Sequence, residues 1–322
     1  MTSAALSNSP TPPLPATAEA NATVSVTVGG ATYTTTASGT GAWSVNLATA
    51  TPTSGSLSLN ANGSTPVAAT ATDASGNTSA PGTQTLTIDT TAPNPPAVTS
   101  ATLTNSATPI IGGTAEAGST VTVTIGGATY TTTATNGTWS LNLATATPPS
   151  GSLSLNANGS NAVPATATDA AGNTSTAGTQ TLTIDTTLPD APTVTSAALS
   201  NSTTPTLTGT AESGSTVTVT IGGATYTPTA TNGSWSLNLA TATPTAGSLS
   251  LNANGTNAVS ATATDASGNV SAPGTQTLTI DTTLPDAPTV TTTLTNSTTP
   301  TLTGTAEANA TVTVTVGGAT YT

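Results

Sequence analysis

Twelve side chains in this 322-residue chain carry charge, and all twelve are acidic; no Lys, Arg or His is present to pair with them. They fall at four slots of a repeat about 96 residues long. The glutamates are Glu19, Glu116, Glu212 and Glu307. One aspartate series is Asp73, Asp169 and Asp265, another is Asp89, Asp185 and Asp281, and Asp190 and Asp286 complete the set. Charge that serves solubility alone is scattered and mixed in sign. Carboxylates held in register without a protein cation point to a cation from outside, and calcium, which takes six to eight oxygen ligands, is the natural candidate.

The elements that position these groups are short strands. Trp43, Trp139 and Trp235 recur in the same register as the aspartates, giving three near-complete units and the start of a fourth: 1–89 (without a preceding linker), 90–185, 186–281 and 282–322. In the second unit PAVTSATL (96–103) and TPIIGGTAE (108–116) read as the first two strands. TVTVTI (120–125) alternates strictly, with Val121, Val123 and Ile125 on one face. Gly126-Gly127 and Asn136-Gly137 supply two-residue hairpin turns, because both central positions tolerate positive φ. TWSLNL puts Trp139, Leu141 and Leu143 on one face, which makes the tryptophans core residues rather than carbohydrate platforms. NAVPATATD and TQTLTID (179–185) close the unit. About seven strands in about 96 residues predict an all-β fold, a tandem array of immunoglobulin-like β-sandwiches forming an elongated rod. One unit should advance that rod by about 40 Å. The chain has no Phe and much of its apolar content is Ala, so each core is expected to be thin and its stability modest.

Strand order converts the spacing into geometry. Strands running up and down a sandwich bring the end of the second strand, the loop between the last two strands and the incoming linker to one end. A first joint would gather Asp89, Glu116 and Asp169; a second Asp185, Asp190, Glu212 and Asp265; a third Asp281, Asp286 and Glu307; Glu19 and Asp73 lie at the corresponding end of the first unit. Asn94 stands where the later linkers have Asp190 and Asp286. Three carboxylates gathered without a cation would raise one another's pKa. The competing reading is that DASGN and DAAGN are ordinary Asp/Gly/Asn turns. DASGN is not an EF-hand loop, whose Gly sits at position six.

The missing residue types exclude several functions. A net charge of −12 without a basic side chain would repel nucleic acid and anionic lipid. The lack of His and Cys removes the usual zinc ligands, the commonest general base and any thiol nucleophile, so no enzyme is expected. No apolar run is long enough to span a membrane. The first residues do not read as a signal peptide, and both ends read as lying within a longer array. The threonine ladders leave open a rival role, a glycan- or ice-binding surface, although Thr is favoured on any solvated strand face.

The linker DTTLPDAP, the segment TPTLTGTAE, the strand TVTVTIGGATYT and the segment TATDASGNVSAPGTQTLTIDTT together resemble bacterial Ig-like repeats of very large surface adhesins and biofilm-associated proteins exported by type I secretion. The resemblance covers nearly the whole chain. It implies an extracellular extender on the bacterial cell surface, with calcium at or near the linkers, flanking repeats as partners in cis and the adhesive target bound by modules elsewhere. Carried over residue by residue, the calcium sites fall on Asp89, Asp185 and Asp281 in the linkers, on Glu116, Glu212 and Glu307 after Gly-Thr-Ala, and on the aspartates of the DxxGN turns. The stretch ATATPPSGSLSLNANGSNAVPATATD is longer than the family's usual connection before the penultimate strand. The fourth unit, without its later strands, is expected to present unpaired edges.

Overall fold

Threonine and valine crowd the backbone at Cβ and favour extended chain, and Pro and Gly interrupt any helical run. The computed structural model describes residues 5–322, and every regular element in it is a strand. Residues 1–4, assigned above to the first unit, lie outside the described residues. The chain divides into two compact units, Met1–Thr187 and Leu188–Thr322.

The second repeat, within the first unit, shows how one sandwich is built. Its strands are β1 (Ala97–Val98), β2 (Leu103–Thr104), β3 (Ile110–Thr114), β4 (Thr120–Ile125), β5 (Ala128–Thr133), β6 (Thr138–Asn142), β7 (Asn158–Thr168) and β8 (Gly178–Asp185). One sheet has the order β2-β8-β7-β4-β5 and the other β6-β3-β1. Only β2 and β8 run parallel; the rest of both sheets is antiparallel. The same order recurs in the third repeat, with Ala246–Gly247 added at the edge of the larger sheet, and among the described residues of the first repeat the smaller sheet holds Pro13–Thr17 and Ala42–Asn46.

The hairpins follow from their turn residues. Gly126 and Gly127 have φ of 54° and 80°, and Asn136 and Gly137 have 51° and 82°, the left-handed pairs a type I′ turn requires. The first strand differs from the continuous segment expected. It is split into β1 and β2, which lie on opposite sheets, and the break is held by side chains and backbone. Thr99 and Ser100 both donate to the Gly112 carbonyl, and Gln180 Nε2 donates to the Ser100 carbonyl at 2.8 Å. β7 begins three residues earlier than the hydrophobic pattern suggested. The long connection before it wraps the sheet edge, placing Leu153 and Leu155 against the core. Asn161, almost fully buried, brackets its end: it accepts from Asn156 N–H and donates to the Asn156 and Gly159 carbonyls.

Each of the first three repeats has its own apolar cluster with the same cast. In the second it includes Val121, Val123, Ile125, Tyr130, Trp139, Leu141, Val163, Leu182 and Ile184. The tryptophans are core residues, as their phase with the leucines required: Trp43, Trp139 and Trp235 are 6%, 4% and 2% exposed. The threonines of the same strands face out and pair across strands, as Thr27 and Thr32 do at 3.3 Å between hydroxyls. Residues 282–322 form two two-stranded pairs, Thr289–Thr291 with Thr303–Thr305 and Val314–Val316 with Ala319–Tyr321, with Leu284 and Leu294 exposed.

Candidate functional site at the linkers

The linker into the second repeat is bonded at both ends. At its start Asn62, at the head of the penultimate strand of the first repeat, pairs in register with Asp89. The Asn62 side-chain oxygen accepts from Thr90 N–H at 2.8 Å and Thr90 Oγ1 at 3.0 Å, and Asp89 Oδ1 accepts from Thr91 N–H at 3.0 Å. At its far end Pro93 and Pro96 are buried, and β1 pairs with β3 through Val98↔Gly113 and Ala97↔Thr114. β1 also packs on β7 and β8. Gly178 opens β8 directly beneath it, and a Cβ there would collide with the Pro96 carbonyl. Glycine is needed at this point because a backbone passes across it. In the second unit Thr193–Val194 pairs with Gly209–Thr210, and Gly274 faces the Pro192 carbonyl in the same way.

The Asp-x-x-Gly-Asn turn supplies the third tie. Asp169 Oδ1 accepts from the backbone N–H groups of Gly172 and Asn173, each at 2.8 Å, and Oδ2 accepts from Asn173 Nδ2 at 2.8 Å. Asn173 Nδ2 also donates to the backbone carbonyl of Asp89 at 2.8 Å, joining the turn of the second repeat to the end of the first. Asp73 with Asn77, and Asp265 with Asn269, build the same turn. This recurring asparagine was not singled out by the sequence reading, although Asn77, Asn173 and Asn269 keep the register of the aspartates.

The hydrogen bonds set the protonation of the turn. The Asn77 side chain and backbone hold Asp73 below its ordinary value of 3.8. For Asp169 burial works against the charge, but bonds from Asn173 and from Gly172 and Ala171 N–H outweigh it and lower its pKa. Asp265 is lowered likewise, burial being outweighed by Asn269, Ser267 and Gly268. The direction is opposite to that expected of carboxylates crowded together. A folded pKa below the unfolded one means that the unfolded chain binds more protons in between. This stabilisation is therefore complete above the unfolded value and is lost as pH falls through the folded one. Thermal midpoints should fall as pH drops from about 5 to about 2. In Asn173→Ala the fall for that repeat should be shallower, with about 1 kcal/mol already lost at pH 7 from the bonds removed. Equal pH slopes for the two proteins would remove the turn from the account.

Glu116 stands apart from this turn. It is exposed and lines a small cleft with Asn94, Pro95, Ala97 and Thr114. Buried Ser119 holds the backbone there, donating from Oγ to the Glu116 carbonyl at 2.7 Å. In the second unit the equivalent cleft is lined by Asp190 and Glu212, with Ser215 Oγ donating to the Glu212 carbonyl at 2.7 Å. The predicted first cluster is thus sorted into two sets, Asp89 with Asp169 and Asn173, and Glu116 with Asn94. Among the described residues no three carboxylates are close enough together to hold one ion. Glu19 and Asp73 line one cleft in the first repeat, and Asp281, Asp286 and Glu307 are exposed. Asp185, half-buried, accepts from Thr187 N–H at 3.0 Å and pairs in register with Asn158. Asp190 and Glu212 share a cleft and are oxygen donors of the kind a calcium ion takes. The aspartates of the turns fit less well, because their oxygens are already committed to amide donors.

The profile of the bacterial Ig-like domain matches residues 97–186 and 190–282. Among solved structures, the chain is 30% identical to the Ca2+-stabilized adhesin that helps an Antarctic bacterium reach out and bind ice, covering 89% of this chain and 73% of that one with a TM-score of 0.34. It is 26% identical to a tetra-tandem repeat in the extending region of a large adhesion protein, covering 88% of this chain and 74% of that one at a TM-score of 0.29. Fibronectin(III)-like modules of Clostridium thermocellum CbhA are 16% identical over 58% of this chain and 94% of theirs, at 0.36. No curated protein matches the chain. With two tandem matches spanning more than half of its length, the chain belongs to the bacterial Ig-like domain family.

Proposed function

We propose that this chain is a passive spacer, an extender segment of a bacterial cell-surface adhesin, whose repeats occupy 1–89, 90–185, 186–281 and 282–322. The observation that carries the reading is the linker bonded at both ends. Asn62 and Asn173 hold its first residues, while the pairing with β3 and the close approach at Gly178 hold its last. A linker built only to connect would be free between two such attachments; this one is part of the sandwich it enters. Neither catalytic chemistry nor a nucleic-acid surface is expected from a chain with only carboxylates to titrate and no basic residue. The segment works outside the cell, its partners are the flanking repeats, and the adhesive target belongs to other modules.

Calcium enters this proposal as a brace for the joint. Asp190 and Glu212 would hold it, with Asp286 and Glu307 as the matching pair in the fourth repeat; Asn94 gives the first linker a less charged version with Glu116. An ion that binds the folded form alone stabilises it by mass action. Titration calorimetry with calcium chloride should therefore show binding that is weakened about tenfold or more in Glu212→Gln, with a matching loss of the calcium-dependent rise in melting temperature. Unchanged heats and melting in that variant would remove calcium from this cleft and leave the bonded linker to act alone.

A further inference from the structure

The split first strand recurs with its whole set of partners. In the second repeat Gln180 Nε2, on β8, donates to the Ser100 carbonyl at 2.8 Å, and Thr183 N–H donates to the Thr102 carbonyl at 2.7 Å. Leu103 and Thr104 then pair in parallel with Thr183 and Ile184. In the third repeat Gln276 Nε2 donates to the Ser196 carbonyl at 2.7 Å and Thr279 N–H to the Ala198 carbonyl at 2.7 Å. Leu199 and Ser200 pair with Thr279 and Ile280 in the same parallel register. Ala198 stands where the second repeat has Thr102, and the bond survives because its acceptor is backbone.

The parallel pairing fixes how tension crosses a sandwich. The start of β2 and the end of β8 lie at opposite ends of their shared ladder. Tension that enters through β1 and leaves beyond Asp185 therefore drags β2 and β8 past each other along their length. The bonds between them run across the strands and must yield together. Pulling the two strands apart at one shared end would instead break those bonds one at a time. On its other side β8 is held by the long antiparallel ladder from Asn158↔Asp185 to Ala165↔Gly178. Asn158 Oδ1 also accepts from Thr186 N–H at 2.8 Å and from Thr186 Oγ1 at 3.0 Å, so the exit of β8 is tied to β7. With β7 and β8 moving as one piece, the short β2–β8 patch is where the repeat must give way. Gln180 lengthens that patch by one side-chain bond, on the side from which the load arrives.

We propose that β2 and β8, braced by Gln180, form a mechanical clamp, and that each complete repeat is built to bear tension along the chain rather than across its sheets. Gln276 and the strand Gly274–Asp281 do the same in the third repeat. Forced unfolding follows the unfolding rate and not the equilibrium stability, so strength can be placed in a few bonds while the core stays thin. The inference rests on the extender reading for the source of the load; the forces that test it are measured whichever way that reading falls.

The chain has no cysteine, so handles for single-molecule pulling can be placed at will in the full-length protein. Thr91→Cys with Thr187→Cys loads the second repeat through its two linkers. Asn105→Cys with Thr187→Cys grips β2 and β8 at the same end and peels them apart; all three positions are exposed. The first pair should open at no less than about twice the force of the second. Thr183→Pro removes an N–H that is spent on Thr102 and not on the ladder with β7, and should bring the linker force down to about the peeling force. Gln180→Ala, which leaves every backbone bond in place, should give a value between the two. Ile125→Val trims the core on β4 away from the clamp; it should lower the denaturant midpoint while changing the linker force by no more than about a tenth. Equal forces in the two directions overturn the proposal, as does a linker force that Thr183→Pro and Gln180→Ala leave unchanged. A fall in Ile125→Val as large as theirs also overturns it, by tying strength to stability alone.

Discussion

Trp235→Ala should destabilise the third repeat by about 3–5 kcal/mol, enough to populate its unfolded form at room temperature. The indole is 2% exposed and sits with Leu207, Tyr226 and Leu237 in a core without a phenylalanine to compensate. It also reaches the linker: Nε1 donates to the Thr193 carbonyl at 3.2 Å, and the ring lies against Gly209. Trp139 is also buried, yet among the described residues its Nε1 has no hydrogen-bond partner. Trp→Phe at the two sites therefore makes an internal comparison. Both lose ring volume, but only Trp235→Phe loses a hydrogen bond, so it should cost about 1 kcal/mol more than Trp139→Phe. Denaturant melts of the two variants measure that difference, and a larger loss at Trp139 would reverse the assignment.

Gly178→Val should expel β1 from its slot and loosen the linker into the second repeat. The new Cβ would meet the Pro96 carbonyl, a backbone group with no rotamer to escape into. Overpacking of this kind costs about 1–3 kcal/mol, and the cheapest relief is for the linker to lift away. Gly274→Val should do the same through the Pro192 carbonyl, whereas at Gly82 the nearest described atom to the new Cβ is the Ala69 carbonyl at 3.8 Å, so Gly82→Val should be close to neutral. Hydrogen exchange provides the readout. Amides of residues 97–100 should lose protection in Gly178→Val while those of β4 and β7 keep it. Uniform loss throughout the repeat would mean that the whole sandwich, and not the linker, had been broken.

Much of this architecture is legible in the residues themselves. The alternation of Val121, Val123 and Ile125, the left-handed Gly126-Gly127 and Asn136-Gly137 pairs and the phase of Trp139 with Leu141 are local signals, and each maps onto one strand or one turn. The split of the first strand is not local: it depends on Gln180, 80 residues away, receiving the Ser100 region at the crossing point. The acidic residues show the same limit. Strand order indicates at which end of a sandwich each carboxylate lies, but not on which layer. Glu116 follows β3 in one sheet and Asp169 follows β7 in the other, with β1 between them. Packed sheets stand about 10 Å apart, too far for one ion to bridge both carboxylates directly. The asparagine of the turn was read only as part of an ordinary Asp/Gly/Asn turn, yet Asn173 makes the bond between the first two repeats.

The proposed extender role requires that the linkers, as strands of the repeats they enter, stiffen the chain. Small-angle scattering of the full-length chain and of Gly178→Val combined with Gly274→Val, each with calcium and with chelator, tests it most directly. The account predicts a well-defined maximum dimension for the unmodified chain, and for the double variant a broader distance distribution and the rising high-angle signal of a flexible string, even with calcium present. Identical scattering from the two proteins, with β1 shown by hydrogen exchange to be released in the variant, would contradict it.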